Sequence, residues 1–437
     1  MANIKLQEKL TAVADAIRAK NGSSEKLTLD QMPAEIGNIQ SGSGSAARDY
    51  EVNDVTFYDF DGTIIYSCSM VDAQNLTELP TPPEHKGLVF QEWNWTLEQI
   101  KRSSVGADVG AMYDTEDGAV VFNITIANEI ERSKISLAFE KASVSTNPPR
   151  IKIDWGDGTT DISENVVSIG GIRLYHVYDK NGTYNICVKR ENPSTDGFGI
   201  KYNMSSNYTL ISLNSSIDNI INYVRIGSDC AQVGSNTFVG CNEIKYITVH
   251  KDLTLPNTAQ LFSDSSTLKC LILPQTQVNM YDLIDTNNSI HTLCIPPTVI
   301  SCRIGQNRLS RIIFPDSVNV VEKFSSGYCS MTEFRLGNNV WKISSYAFSN
   351  VNRIISVLRL PASIKTLESS CLSGFRNLKE IHIAATTPPS LASSSAIGLI
   401  TSGDEKTKIY VPAGCAEAYK SATNWAALAD YIIEEGK

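Results

Sequence analysis

The chain lacks several features that would indicate its function at once. No run of eighteen or more apolar residues occurs among its 437 residues, which argues against a membrane-spanning helix. Its first five residues have none of the apolar core of a signal peptide, so we expect a protein that no signal peptide exports. Its formal net charge of −9 disfavours binding to nucleic acid, which requires clustered Lys and Arg.

Spacings typical of metal or catalytic sites are also missing. The 10 cysteines form no C-x-x-C pair, which argues against a zinc or redox motif. We interpret them as small buried hydrophobic residues, with a disulfide framework as the alternative. The 5 histidines are scattered and suggest no metal site and no Ser-His-Asp arrangement. We therefore predict no metal, no cofactor and no enzymatic activity.

The second half of the chain contains a repeat. An apolar residue, two residues, an apolar residue, one residue and an apolar residue recur, often followed by Pro, as in Leu268-Leu271-Leu273-Pro274. The central strand residues are separated by steps of 19 to 24 residues. Such a period with an L-x-x-L-x-L core predicts a leucine-rich-repeat solenoid, in which stacked units share one core.

Residues outside the repeat strands add a family resemblance. An aromatic residue, a small stretch and Cys or Asn precede the next strand, as in residues 237–244 and 371–378. This pattern resembles the BspA-like leucine-rich family of bacterial surface proteins, which implies a solenoid over 205–385. The sequence of residues 408–425 is similar to the closing cap of such arrays, and we assign the cap to 386–437. A cap covers the apolar edge of the last repeat.

The alternation of strand side chains predicts which repeat residues face outward. An apolar strip on an exposed sheet usually marks an interface, and neighbouring arginines suit carboxylate or phosphate groups of a bacterial wall polymer. The alternative is that the strip is covered by another subunit or is simply tolerated. The candidate partner-binding residues are Tyr246, Thr248, Ile272, Cys294, Arg311, Ile313, Arg335, Arg359 and His382.

The first 49 residues predict an attachment segment. Leu6, Leu10, Val13 and Ile17 form a heptad seam with no core of its own, so we expect residues 1–40 to oligomerise or to dock onto a partner. A trimer is expected by analogy with tail fibres. The Ser- and Gly-rich residues 41–49 predict a flexible linker. The opening resembles the N-terminal segment of tail proteins from phages of Gram-positive bacteria.

Residues 50–117 predict a small β module. A hairpin through Gly62 and a Gly-Leu-Val-Phe-Gln-Glu-Trp stretch at 87–93 resemble the β-grasp repeats of bacterial surface and phage tail proteins. Asp59-Phe60-Asp61-Gly62-Thr63 matches the opening motif of haloacid-dehalogenase-type phosphatases, in which two Asp residues act as nucleophile and general acid. That fold requires a parallel sheet with crossover helices, which the following residues do not predict. We interpret the motif as a hairpin turn.

Residues 118–204 predict a β-sandwich. Trp155-Gly156-Asp157-Gly158-Thr159, His176-x-Tyr178 and Gly182-x-Tyr184 resemble the PKD type of immunoglobulin-like module, which implies a spacer or adhesion role. Gly156 and Gly158 permit a tight turn that Asp157 can cap, and His176 is expected to be structural. Calcium binding by the loop residues Asp154, Asp157 and Asp179 is the alternative role.

Together these patterns predict a mostly β, multidomain protein with an N-terminal helix, a β-grasp-like module, a PKD-like sandwich and a leucine-rich-repeat solenoid. We expect a phage tail or baseplate-associated protein, assembled in the host cytoplasm, whose solenoid contacts a bacterial surface. Expected partners are other tail proteins and a cell-surface polymer or protein. The alternatives are a host-encoded surface adhesin and, remotely, a phosphatase.

Overall fold

Short β-strands make up most of the regular secondary structure of the described chain in this computed structural model. The N-terminal seam Leu6, Leu10, Val13 and Ile17 and the linker 41–49 lie outside the described residues. The structure describes residues 54–129, 135–142, 146–166, 172–200, 220–235, 237–238, 241–256, 261–262, 267–281, 289–304, 308–324, 332–348, 355–375, 377–397 and 407–436.

The first described module is a four-stranded mixed sheet with two short helices. Its strands follow the order β2-β1-β4-β3, with the two central strands β1 and β4 parallel to each other. Thr96 and Gln99 form a capping box that starts helix α2. The elements are β1 (Val55–Tyr58), β2 (Ile64–Cys68), α1 (Met70–Asn75), β3 (Leu88–Trp93), α2 (Leu97–Arg102) and β4 (Ala107–Thr115).

The predicted hairpin of this module is confirmed. Strands β1 and β2 are antiparallel, and the Asp-rich motif forms the turn between them. The Asp61 carboxylate accepts the backbone N–H of Thr63 at 2.9 Å, and Gly62 has a φ of +90°. An aspartate that binds its own turn and a glycine with positive φ are what a tight hairpin requires.

The second region is a sandwich of two sheets. The Gly156 and Gly158 positions have positive φ, as the turn prediction requires, and Asp157 caps Thr159 at 3.0 Å. The His176 ring stacks on buried Trp155 at 4.7 Å. The strands are β5 (Val120–Ile126), β6 (Ile135–Lys141), β7 (Ile151–Asp154), β8 (Thr160–Ile162), β9 (Ile172–His176), β10 (Gly182–Arg190) and β11 (Phe198–Ile200).

The sandwich and the solenoid share a sheet. The first repeat strand, β12 (Ile221–Ile226), pairs antiparallel with β5 and parallel with the next repeat strand. Strand β13 (Cys230–Val233) extends the other sandwich sheet through β11, and β14 (Tyr246–Val249) ends the shared sheet. Backbone pairing therefore passes from the sandwich into the repeats, so the boundary predicted at 204 is no break in the sheet.

The repeats form two rows of parallel strands. The motif strands are β15, β17, β19, β21, β23 and β25, and the second row is β16, β18, β20, β22, β24 and β26. Their bounds are β15 (Cys270–Ile272), β16 (Asn279–Tyr281), β17 (Thr292–Cys294), β18 (Ser301–Ile304), β19 (Arg311–Ile313), β20 (Val320–Phe324), β21 (Glu333–Arg335), β22 (Lys342–Ile343), β23 (Val357–Leu360), β24 (Thr366–Leu367), β25 (Glu380–Ile383) and β26 (Ser390–Leu391).

The interior of the solenoid confirms the repeat prediction. Motif residues such as Leu268, Leu293 and Ile312 are at most 2% exposed. Phenylalanines from successive repeats also meet inside, as with Phe348 and Phe375, whose ring centroids lie 5.3 Å apart. Burying one Leu, Ile or Phe side chain contributes about 1.5 to 3 kcal/mol, so the repeats are stabilised by their shared interior.

The C-terminal segment closes the array. Strand β27 continues the last motif strands in parallel, and Trp425 donates its indole N–H to the Pro389 carbonyl at 2.8 Å. Tyr419 donates its hydroxyl to the Ala385 carbonyl at 2.8 Å. The elements are a 3-10 turn (Ser394–Ala396), β27 (Lys408–Val411), α3 (Ala416–Ser421), a second 3-10 helix (Ala426–Tyr431) and β28 (Ile432–Glu434).

The cysteines of the described chain are free thiols. Seven of these nine are buried, including Cys270 and Cys294 on neighbouring motif strands. Burial raises the pKa of the Cys302 thiol well above its ordinary value. Small apolar packing is therefore the role that the structure gives to most of these residues.

Candidate functional site: the outer face of the motif strands

The candidate partner-binding residues lie on one side of the motif strands, which we call the repeat face. The structure divides this face into two halves. From Tyr246 to Arg335 it is covered by residues 54–115, and from Val357 to Tyr410 it carries half-buried and exposed side chains. Of the nine candidates, only Arg359 and His382 lie on the second, open half.

The predicted apolar strip is not exposed. Ile272, Cys294 and Ile313 are 7%, 0% and 5% exposed, so the expectation of an apolar strip open to solvent is wrong. Strand β4 passes over the strip so closely that a Cβ on Gly110 would lie 2.4 Å from the Ile272 side chain. The absence of a side chain at residue 110 is therefore a condition for this contact.

Buried polar side chains attach the module to backbone groups of the repeats. Asn94, which is fully buried, donates its amide to the carbonyls of Leu273 and Cys294 at 3.0 and 3.2 Å. Its amide oxygen accepts the Gly110 N–H at 2.7 Å. Trp95 donates its indole N–H to the Ile295 carbonyl at 2.9 Å. Paired polar groups at this depth define the position of the module on the face.

The two arginines of the covered half belong to an ion-pair network. Arg335 contacts the Asp54 carboxylate at 2.6 Å and also pairs with Glu333. Arg311 lies 3.2 Å from both the Asp108 and the Glu333 carboxylates. The Asp54 and Asp108 side chains are 1% and 6% exposed. These guanidinium groups, predicted to contact a wall polymer, pair with carboxylates of their own chain.

Burial sets the protonation of this network. It raises the pKa of Asp108 to about 6, although the Arg311 guanidinium opposes that shift. Burial alone would lower the pKa of Arg311, but Asp108 and Glu333 outweigh it, so that pKa is raised. At Asp108 burial thus outweighs the attraction of the arginines, whereas at Arg311 the carboxylates outweigh burial.

The remaining candidates of the covered half are Tyr246 and Thr248. The Tyr246 ring lies 4.7 Å from Phe60 of the module and stacks on Tyr223 of the preceding motif strand at 4.7 Å. Arg225 donates to the Tyr246 hydroxyl at 3.3 Å and to the Lys86 carbonyl at 3.1 Å. Thr248 is 4% exposed. Partner binding by all these residues stays a prediction, but in this structure the chain itself covers them.

The open half presents two rows of side chains on neighbouring strands. One row is Val357, Glu380 and Lys408, and the other is Arg359, His382 and Tyr410. The His382 ring stacks on Tyr410 at 4.7 Å, and its nitrogens lie 3.1 and 2.9 Å from the carboxylates of Glu380 and Glu435. Val357, Arg359 and Lys408 are exposed. This half therefore offers a cation, an aromatic ring and an apolar side chain to a partner.

The two aspartates of the phosphatase-like motif contact groups of their own module. Asp59 is 4% exposed, and its carboxylate accepts the Phe60 N–H and lies 2.8 Å from the His85 ring nitrogen. Asp61 caps the turn, as described above. Both carboxylates thus have local structural partners at the end of a hairpin.

The sequence prediction missed the second row of strands. A signal for it exists in the sequence after β17, β19, β21 and β23, where Pro or Gly is followed at the third and sixth positions by apolar residues. Examples are Pro315-x-x-Val318-x-x-Val321 and Pro361-x-x-Ile364-x-x-Leu367. All four apolar residues are at most 2% exposed. Strands of two to five residues are too short for an alternation of polar and apolar residues to predict them.

None of the described helices has the length and apolar character needed to cross a membrane. No cluster of three or more His, Cys, Asp or Glu side chains in the described ranges is arranged to hold a metal ion.

Comparisons with known proteins agree with the repeat. The BspA type leucine rich repeat region matches residues 201–307 and 304–395, in six copies. BspA-type leucine-rich repeats are therefore present in this chain. A comparison with curated proteins yields no match.

A solved structure also shows similarity. A leucine rich cell surface protein from Faecalibacterium prausnitzii is 16% identical, over 56% of this chain and 92% of that one, with a TM-score of 0.23.

Proposed function

We propose that this protein is a non-catalytic adhesion protein that recognises a bacterial cell surface through its leucine-rich solenoid. The observation that carries the proposal is the BspA-type repeat array at 201–395, whose motif side chains are buried and whose outward side chains differ from repeat to repeat. A repeat scaffold of this kind offers a long surface for recognition. The aspartates of the phosphatase-like motif support the proposal, because the hairpin turn uses both of them.

The open half of the repeat face is the proposed contact surface for this function. Arg359 is exposed and has no ion pair with any other described residue, whereas Arg311 and Arg335 are engaged inside the chain. In the same row, the His382 ring lies between Arg359 and Tyr410. An exposed cation in one row with two aromatic rings suits carboxylate or phosphate groups of a wall polymer.

The test is adsorption of the purified full-length protein to bacterial cells. Arg359→Glu and Tyr410→Ala are each expected to weaken adsorption at least fivefold, because they remove the exposed cation or the ring. Lys420→Glu, on the cap helix, is the matched control and should adsorb normally. Unchanged adsorption by folded Arg359→Glu and Tyr410→Ala proteins would rule out this surface.

The biological setting is a separate part of the proposal. The BspA-type repeats favour a host-encoded surface adhesin, while the resemblance of residues 1–40 to phage tail proteins favours a virion component, and the PKD-like sandwich suits either. Antibodies against the solenoid should label intact bacterial cells if the protein is an adhesin. Labelling of phage tails, with no labelling of uninfected cells, would favour the virion instead.

A further inference from the structure

The second row of strands carries a cleft that the proposed function does not use. It has a volume of about 610 Å³ and is lined by residues in and next to strands β18, β20 and β22. Two large aromatic side chains, Trp341 and Tyr346, line it together with charged and hydroxyl side chains. Phe324 and Ile343 of these strands are buried in the solenoid interior, so the cleft lies on the outer side of the row.

The two aromatic rings of the cleft are open to solvent. Trp341 and Tyr346 are 40% and 60% exposed, whereas the other four tryptophans of the chain are at most 5% exposed. Within the part of the chain that the structure describes, neither ring stacks on another ring or forms a side-chain hydrogen bond. Exposed aromatic side chains that share one concave surface, with polar groups beside them, are typical of a binding site.

The neighbouring repeats show that the fold does not require these rings. Trp341 occupies a position that Asn319 fills one repeat earlier and Lys365 one repeat later, and backbone hydrogen bonds join the three residues in a ladder. Tyr346 corresponds to Ser370 of the next repeat, and their φ values are +56° and +51°. That left-handed region disfavours bulky side chains, so the turn itself gives no reason for a tyrosine. Both aromatic residues therefore occur in one repeat, and line one cleft, without a structural need that the neighbours share.

The polar side chains of the cleft include both signs of charge. The Glu322 carboxylate accepts the hydroxyls of Tyr281 and Ser301, each at 3.3 Å, which holds the carboxylate in place. Lys342 pairs with Glu368 at 2.7 Å, so its charge is compensated within the chain. Serine and lysine side chains of the lining supply hydrogen-bond donors near the carboxylate. A fixed acceptor with donors around it suits hydroxyl groups, because each hydroxyl both donates and accepts.

We propose that this cleft binds an uncharged oligosaccharide, with sugar rings against Trp341 and Tyr346 and a sugar hydroxyl donating to Glu322. The apolar C–H face of a hexopyranose ring covers an aromatic face, while the hydroxyls at its rim meet the polar lining. An anionic ligand is disfavoured, because the Glu322 carboxylate would repel it. The inference gives the proposed adhesion protein a second recognition surface and rests on that function only for the bacterial source of the glycan.

The test uses three uncharged hexamers, which are cellohexaose, chitohexaose and mannohexaose. Each is added to the full-length protein, and acrylamide quenching of the tryptophan fluorescence is measured. Because Trp341 is the exposed tryptophan, a sugar ring bound against it should roughly halve the quenching, and at least one hexamer should do so. The affinity should not change with salt, since the ligand carries no charge. Protection by none of the three hexamers, or an affinity that falls steeply with salt, would overturn the proposal.

Substitutions taken from the neighbouring repeats locate the binding. Trp341→Asn introduces the residue found at position 319, and Tyr346→Ser introduces the one found at position 370. Each should weaken binding of the protecting hexamer about fivefold or more, measured by calorimetry because the first variant lacks the fluorescent ring. Ile300→Asn is the matched control and should bind normally, since Ile300 is 44% exposed on the same ladder but outside the cleft. Undiminished binding by both folded variants would place the saccharide elsewhere and overturn the assignment.

The cell assay separates this inference from the proposed function. If Arg359→Glu weakens adsorption to cells while none of the hexamers binds, only the saccharide assignment is lost. If a hexamer binds the cleft but no cell adsorbs the protein, the proposed adhesion function is lost while the cleft assignment stands.

Discussion

The covered and open halves of the repeat face have the same motif and the same outward positions, but different surroundings. On the covered half, Arg335 pairs with Asp54, a residue 281 positions earlier in the chain. On the open half, Arg359 occupies the corresponding position one repeat later and is exposed. The comparison shows that the role of an outward repeat residue depends on whether another segment of the chain covers it.

The difference also separates two uses of similar chemistry. The largely buried Arg311 and Arg335 pair with desolvated carboxylates of the 54–115 module, so loss of either partner would leave an uncompensated buried charge. The exposed Arg359 carries no desolvation penalty of this kind and is available to a partner. The four predictions that follow test this division, from the largest expected effect to the smallest.

Replacing Arg335 should be the most damaging of these changes. Arg335→Met leaves the Asp54 carboxylate buried without its cation, and we expect the free energy of unfolding to fall by about 3 to 5 kcal/mol. Arg359→Met removes an arginine from the open half and should change it by less than about 0.5 kcal/mol. Urea unfolding followed by tryptophan fluorescence measures both. Equal losses for the two variants would abolish the distinction between the halves.

Asp108 should make the stability of the covered half depend on pH. Its pKa in the folded chain is about 6, above the ordinary value of 3.8. Between these values the folded chain keeps a proton that the unfolded chain has lost. The stabilisation from that proton is thus fully present below about pH 4 and is lost as pH rises through 6.

The variant Asp108→Asn cannot undergo this titration. Relative to the variant, the wild-type protein should lose up to about 3 kcal/mol of stability between pH 4 and pH 7, at about 1.4 kcal/mol per pKa unit. Urea unfolding at several pH values measures the difference. Asp430→Asn, at an exposed position, is the control and should follow the wild-type profile. A difference that stays constant across this range would contradict the raised pKa.

Asn94 should be the main uncharged attachment of the module. Asn94→Ala removes two hydrogen bonds to repeat carbonyls and leaves the Gly110 N–H without its acceptor, so we expect a loss of about 2 to 3 kcal/mol. Asn319→Ala, at an exposed position before β20, should change stability by less than about 0.5 kcal/mol. Limited proteolysis should cut the 54–115 module of the Asn94 variant first. Equal protection in the two variants would mean that Asn94 does not attach the module.

The contact between Gly110 and Ile272 should be a coupled pair. Gly110→Ala introduces a methyl group about where the Ile272 side chain lies, and we expect it to cost about 1 to 3 kcal/mol. Ile272→Ala alone leaves a cavity, but in the Gly110→Ala protein the same substitution makes room, so the two losses should not add. A double-mutant cycle on thermal unfolding gives the coupling energy. If the two losses in the free energy of unfolding simply add, Gly110 of strand β4 does not contact Ile272.

Much of the solenoid could be predicted from the sequence for a local reason. Each repeat buries its own motif residues against the adjacent repeats, so a repeat in the sequence corresponds directly to a structural repeat. Leu293 and Ile312 are buried as the motif predicts. The turns at Asp61 and at Gly156 are equally local, because their hydrogen bonds join residues two apart.

The second row of strands was predictable in principle but not from strand alternation. A strand such as Lys342–Ile343 has two residues, which is too short for a pattern of alternating polarity. The exposed aromatic residues Trp341 and Tyr346 next to this strand therefore had no place in the sequence prediction, although both appear in the sequence.

The repeat, its inward residues and the local turns follow from the sequence alone, since all of these depend on neighbours in the chain. Which outward residues are exposed depends instead on contacts between distant segments. Ile272 and Val357 are both apolar and both outward, yet one is 7% and the other 40% exposed. The difference arises because strand β4 lies over the first, and a contact between residues 110 and 272 leaves no periodic trace in the sequence.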